Sequence, residues 1–273
     1  MTERSHNTGA GEPRVAEGPD VMLIAAALGR WSGQTIASID VGPRCPSVMG
    51  VRDIVLPSTL RTVGCHGTSM WLDIDERILM VRMGQHTRVS AAISDPRYVA
   101  LTIRMSGGAS VQISDHRRFV NARVVDPATV RRYVSAAGPN VTSVTRADVQ
   151  RITRAALSVD RTVAEALADV TVIAGIGQRI ASEALYAARV SPWRAGHAVL
   201  HHEWCTVLDA LHVESMRALA IGLAASAQEP LPSLAWSIPA TVYGRTRLSD
   251  GTPLVRERCT SAWTLTWAPG VQT

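Results

Sequence analysis

The hydrophobic period changes once along this chain, near Asp126-Pro127, and the change separates two kinds of structure. Before it, from about residue 35, the runs "TIASIDV", "TSMWLDID", "RILMVRM", "YVALTIRM", "ASVQIS" and "FVNARVV" alternate or are continuously apolar. Turn signals such as Ser106-Gly107-Gly108 lie between them, so the pattern predicts six short strands of a sandwich or barrel-like β domain. After it, "PATVRRYVSAA", "TRADVQRITRAAL", "TVAEALADVTVIA" and "GQRIASEALYAARV" carry a helical period, with breaks at Pro139-Asn140 and Ser191-Pro192 and a further helix over 200–226. One more helix precedes the strands, started by Gly18-Pro19-Asp20 and apolar from Val21 to Leu28. The Pro-rich "EPLPSLAWSIPA" leads into a terminal segment that reads as a β-hairpin turning at Asp250-Gly251. The expected class is α+β: a flexible arm over 1–15, a β-sandwich domain over 16–126, a helical domain over 127–228 and a hairpin unit over 229–273.

Composition narrows the partners. The net charge is +5, and every one of the 28 basic residues is arginine. Arginine forks pair with phosphate oxygens and stack on bases, so an anionic partner such as nucleic acid is favoured. Codon usage in a GC-rich genome also accounts for such a bias. Chemistry that needs a lysine Schiff base is excluded. No apolar run approaches the ~18 residues of a membrane span, and the polar opening "MTERSHNTGAGEPR" has no signal core, so a soluble chain without a membrane partner is expected. The cysteines Cys45, Cys65, Cys205 and Cys259 form no Cys-x-x-Cys pair, which argues against a zinc ribbon and suits a reducing, cytoplasmic setting.

Two clusters carry possible chemistry. Gly175-Ile176-Gly177 stands before an amphipathic helix, where backbone amides can approach an anion, although such turns are also common in purely structural roles. His197, His201, His202 and Cys205 offer metal-binding side chains, but spacing places no fourth ligand, and a solvated helix face is the better reading.

The stretch "ADVTVIAGIGQRIASEALYAARVSPWR" resembles the helix–two-turn–helix of the formamidopyrimidine-DNA glycosylase and endonuclease VIII family, with its Ala-Gly-Ile-Gly-Asn, Glu-Ala-Leu and His-Pro progression. The resemblance continues in "AEGPDVMLIAAAL" (the N-terminal Pro-Glu-Gly-Pro-Glu-Val segment), "HGTSMWLDID" (the Arg-Gly-Lys strand) and "VRMGQHTRV" (the His-Leu-Gly-Met-Ser-Gly loop). It also covers "SDHRRFVNARV" (the Asp-Pro-Arg-Arg-Phe-Gly turn) and the terminal "VYGRTRLSDGTPL" to "LTWAPGVQ" (the zinc-finger hairpin). The family implies a DNA clamp, acting as a monomer near the bacterial nucleoid, that extrudes a damaged base from duplex DNA and cleaves its glycosidic bond.

Several family positions are altered. The catalytic proline, whose free amine attacks the sugar, falls on Ala16, and the peptide nitrogen of an internal residue is no nucleophile. The strand lysine falls on Thr68, an earlier lysine on Ala164, the phosphate-gripping asparagine on Gln178 and the hairpin arginine on Trp263. Arg256 and Arg258 lie near enough for one of them to substitute. The zinc-binding cysteines fall on Arg247, Asp250, Ala268 and Val271, which cannot together hold zinc, so a zincless finger and no cofactor are expected.

Other positions persist. Glu17 matches the acidic residue beside the proline, where a carboxylate can stabilise an oxocarbenium-like state or activate water; on its own it would read as a helix-start carboxylate. Arg117, Arg118 and Phe119 match the turn that fills the gap left by an extruded base, and Gln85 takes the void-filling methionine's place with His86 beside it. Three readings follow. The first is a monofunctional glycosylase using Glu17-activated water, and the second a catalytically silent damaged-DNA-binding protein. The third, ranked last, is a lyase using the amine of Thr2 after Met1 removal.

Overall fold

The structure is a computed structural model that describes residues 16–43, 45, 47–84, 87–91, 95–118, 120–157, 160–227, 238–260 and 263–273. The first helix, α1 (Gly18–Gly29), starts where Pro19 fixes the entry angle and the Glu17 N–H donates to Asp20 Oδ2 at 2.9 Å. It is apolar on nearly every side because it is packed on nearly every side, with Ala26 exposed. It lies on the sheet, and its other flank meets the long helix α6 (His201–Ser226).

Nine strands follow: β1 (Thr35–Val41), β2 (Val48–Met49), β3 (Ser58–His66), β4 (Ser69–Ile74), β5 (Arg77–Arg82), β6 (Thr87–Ser90), β7 (Val99–Met105), β8 (Ser110–Asp115) and β9 (Asn121–Val125). Their order is β2-β9-β5-β4-β3-β1-β7-β8-β6. The β1–β3 strand pairing is short, Thr35 opposite Thr59 and Ile36 opposite Ser58, so the sheet folds there into two layers. Between them lies the core of Ile36, Leu60, Met70, Leu72, Leu79, Val81, Leu101, Ile103 and Ile113. β5 is buried on both faces. Leu79 and Val81 enter the sandwich, while Ile78 and Met80 pack under Val130 of α2 (Pro127–Ala136). Its apolar run is therefore continuous rather than alternating. All six expected strands are present. β2, β3 and β6 were not expected.

Helices α3 (Arg146–Leu157), α4 (Val163–Ala168) and α5 (Gln178–Ala188) complete the helical part with α6, around Ile152, Val163, Ile173, Ile180, Trp204 and Leu208. The helix expected over "TVAEALADVTVIA" ends early, at Ala168. Asp169 Oδ1 accepts from both the N–H and the hydroxyl of Thr171, at 2.8 and 2.7 Å, a local turn that outcompetes the helical bond. Residues 169–177 then form the double turn that precedes α5.

The terminal hairpin is displaced from its expected turn. Its strands are β10 (Val255–Arg258) and β11 (Thr264–Trp267), so the chain reverses between Cys259 and Trp263. Asp250-Gly251 instead closes a smaller preceding loop, with the Leu248 N–H bonded to the Thr252 carbonyl and the Leu254 N–H to the Thr246 carbonyl. Asp-Gly marked a real turn, but a separate one.

Candidate nucleic-acid interface

A cleft of about 1230 Å³ runs between the sheet and the helical part. Its wall includes Ala16, Thr68, Arg117, Gly175, Gly177, Gln178, Arg256, Arg258 and Trp263, candidate positions drawn together from five separate segments of the chain. Arg82, Asn121 and Arg123 also line it, and no local sequence pattern marks them. Arg82 lies opposite Asn121 across the β5–β9 ladder, and Met80 lies opposite Arg123, so strand register alone brings these side chains to one face. The cleft lining thus holds five arginines and, among the described residues, no carboxylate. Such a surface attracts a polyanion from a distance and pairs with its phosphates at contact.

Glu17 lies behind this wall, and Ala16 lies in it. Glu17 is 2% exposed. Its Oε1 accepts from the backbone N–H groups of Arg179 and Ile180, both at 3.1 Å, and its Oε2 accepts from Arg179 Nε at 3.1 Å. The carboxylate therefore sits on the N-terminal turn of α5, where the helix dipole favours negative charge. Gly177 makes the approach possible, because a Cβ there would overlap the Glu17 carboxyl group. Gly175, at φ +91, turns its carbonyl to accept the Gly18 N–H at 2.8 Å, docking the start of α1 on the double turn.

Arg179 is the centre of a buried ion network. Its Nη1 donates to Glu214 Oε2 at 3.2 Å, and Glu214 in turn pairs with Arg217 on the next turn of α6. Burial works against the guanidinium charge, but Glu17, Glu214 and Asp20 outweigh it and push the Arg179 pKa above its usual value. Nothing in the local sequence marked this residue, since its carboxylate partner lies 162 positions away.

Two further carboxylates fix the elements around the cleft. Asp115 is buried at the end of β8 and accepts from the N–H groups of Arg117 (2.8 Å), Arg118 (3.1 Å) and Val120 (2.9 Å). It thereby holds the turn in which Arg118 adopts φ +58. Arg117 enters the cleft lining, whereas Arg118 is exposed outside it. Phe119, Gln85 and His86 lie outside the described residues. Glu183, on α5, accepts from the N–H groups of Thr241, Val242 and Tyr243 at 2.8, 2.9 and 2.7 Å, which anchors the segment leading to the hairpin. Glu183 opens the Glu-Ala-Leu run in the sequence, where its period marked it only as helical.

The hairpin is laid along α5. The Thr264 N–H donates to Gln178 Oε1 at 3.2 Å and the Thr266 N–H to Ser182 Oγ at 3.1 Å. Gln178 is 8% exposed, so it fastens the hairpin while still forming part of the cleft wall. The four positions compared with zinc ligands sit in turns closed by hydrogen bonds. Arg247 Nη1 donates to the Gly251 carbonyl at 3.0 Å and Asp250 Oδ1 accepts from the Thr252 N–H at 2.9 Å. Around Ala268 and Val271, the Ala268 N–H donates to Gln272 Oε1 at 2.8 Å, and Gln272 Nε2 donates to the Val190 carbonyl at 2.9 Å. His197 falls in a short 3-10 turn before α6 rather than on a shared helix face with His201. No group of three or more His, Cys, Asp or Glu able to hold a metal occurs among the described residues, and no helix there is long and apolar enough to cross a membrane.

No family profile matches the chain. A curated formamidopyrimidine-DNA glycosylase of Roseiflexus sp. (strain RS-1) is 30% identical over 145 residues, 53% of this chain and 53% of that protein. The match therefore spans about half the length of that curated relative. Among solved structures, Lactococcus lactis Fpg in complex with abasic-site DNA superposes with a TM-score of 0.80 at 18% identity, covering 94% of this chain and 99% of that one. The wild-type L. lactis Fpg (MutM) complex with DNA containing an oxidized pyrimidine gives 0.80 at 19% identity over the same shares. The shared fold includes the N-terminal helix, the β-sandwich, the central helices and the terminal hairpin.

Proposed function

We propose that this chain is a divergent relative of the formamidopyrimidine-DNA glycosylase and endonuclease VIII family and a DNA-repair glycosylase working without an imine. It binds damaged duplex DNA in the cleft, turns a damaged base out of the stack and hydrolyses the glycosidic bond as a monofunctional enzyme. The observation that carries this reading is the cleft itself: among the described residues its lining holds five arginines and no carboxylate, with Ala16 in the wall where the resemblance locates a reacting amine.

Binding and chemistry are divided among this chain's residues as follows. Arg82, Arg117, Arg123, Arg256 and Arg258 pair with phosphates on either side of the target nucleotide. Thr68 and Gln178 contribute neutral hydrogen bonds where the family pattern has a lysine and an asparagine. Arg117, on the turn held by Asp115, also faces the gap that base extrusion opens, with Arg118 beside it outside the cleft. Glu17 acts from behind Ala16: it takes a proton from water as the water adds to the anomeric carbon, and the bond to the base breaks with its electron pair leaving on the base. No covalent protein–DNA intermediate forms. Burial raises the thiol pKa of Cys45, Cys65 and Cys259, so none of these is a ready thiolate nucleophile.

A second reading, a silent damaged-DNA-binding protein, is favoured by one observation: both oxygens of Glu17 are already engaged by α5 and Arg179. The two separate on a panel of lesion-bearing duplexes, bulky alkyl adducts included, with freed base read by mass spectrometry. Base release that Glu17→Gln abolishes supports the glycosylase. Tight binding with no release from any lesion supports the silent binder.

A further inference from the structure

We infer that Trp263 is a stacking platform for an unpaired base, so that the DNA this cleft favours already carries a base outside the duplex stack. The inference rests on the reading of the cleft as a DNA site and goes beyond it by naming the class of DNA and the side chain that selects it.

Among the described residues, two aromatic side chains line the cleft, Tyr133 and Trp263. Tyr133 is committed elsewhere: its hydroxyl donates to the His66 carbonyl at 3.3 Å and its ring meets the His66 ring edge-on at 6.4 Å. Trp263 is half-buried, packed against the helical core on one side and part of the cleft wall on the other. Its backbone is held by the hairpin. The Trp263 N–H donates to Thr260 Oγ1 at 3.0 Å, its carbonyl accepts the Cys259 N–H at 3.0 Å, and the next residue is tied to Gln178. The ring is thus presented on a fixed support, and little ordering entropy is lost when a ligand meets it.

The chemistry follows from what an indole can do. It carries no charge and one N–H donor, so it cannot take over a bidentate grip on phosphate. It offers a broad flat face, and Arg256 and Arg258 line the same cleft. An aromatic face beside guanidinium forks suits a nucleotide whose base is unstacked, the base lying on the ring and the phosphates meeting the arginines. A base inside a matched duplex has both faces covered and gains nothing from the ring. A base that is already unpaired gains the stacking without first losing its neighbours.

The test compares three DNAs by fluorescence anisotropy: a matched duplex, the same duplex with one unpaired extra base, and the same again with an abasic residue in place of that base. Wild-type protein is expected to prefer the unpaired base over the abasic residue by about tenfold, the scale of one base–aromatic stack. Trp263→Ala brings that ratio close to one, Trp263→Phe retains most of it, and Trp263→Arg steepens the salt dependence without restoring it. A wild-type ratio near one, a ratio that survives Trp263→Ala, or equal loss in the Ala and Phe variants overturns the inference. Failure of wild-type protein to bind any of the three DNAs at low salt removes the DNA-site reading itself, and the stacking role with it.

Discussion

Replacing Arg179 with methionine removes the cation that joins three helices while keeping a side chain of similar length. The two groups of the pair are 6% and 2% exposed, so water cannot take over the lost contact. Glu17 keeps its two backbone donors from α5 but loses the partner of Oε2. Glu17, Asp20 and Glu214 then lose the cation they share, and Glu214 keeps its pair with Arg217. Breaking one side of a buried ion pair costs roughly 3–5 kcal/mol, against about 1 kcal/mol or less for a surface pair. For a chain of this size the melting temperature should fall on the order of 10 °C. Urea unfolding of wild type, Arg179→Met, Glu17→Gln and the double variant gives the coupling directly. The double variant is expected to cost less than the sum of the singles by roughly 1–3 kcal/mol. A loss below about 1 kcal/mol in Arg179→Met, or strict additivity in the cycle, would refute the view that Glu17 is held by a buried network.

Other perturbations act on separate parts. Gly177→Ala pushes a methyl group into the Glu17 carboxyl; a loss of about 1–3 kcal/mol of stability together with loss of base release is expected, measured by urea unfolding and the lesion panel. Glu183→Ala strands three N–H groups, so amide exchange over 241–243 should accelerate more than in the sheet core and stability fall by roughly 2–5 kcal/mol. Burial tends to raise the pKa of Asp169, but Arg161 and Thr171 outweigh it and lower the carboxyl below its usual value. The resulting stability is present above the ordinary carboxylate pKa and lost as pH falls through the lowered one. Asp169→Asn should therefore flatten that part of the acid limb in an unfolding-versus-pH series.

Much of the fold was legible because its strongest periods are local. The start of α1 follows from Gly18-Pro19-Asp20, and β1 coincides with "TIASIDV". β3 escaped because Arg61, Thr62 and Gly64 interrupt a strand that is only partly buried, so its pattern is weak. α4 was read too long because apolar period alone does not see the Asp169–Thr171 turn. In the site, Gly175 and Gly177 were visible as a glycine turn before a helix, and Gln178 through the resemblance. Arg82 and Arg123 were not, because only the β5–β9 register makes them neighbours. The resemblance located Glu17 beside a missing proline but gave no hint of Arg179, whose role depends on an ion pair closed across the whole fold.

The central claim is that hydrolysis proceeds with Glu17 and without an imine. Single-turnover base release, with parallel borohydride trapping on the most responsive lesion, tests it most directly. Wild-type protein is expected to free the base and form no covalent adduct, and Glu17→Gln to bind the same DNA without release. Equal release from Glu17→Gln, or a trapped protein–DNA adduct, would contradict it.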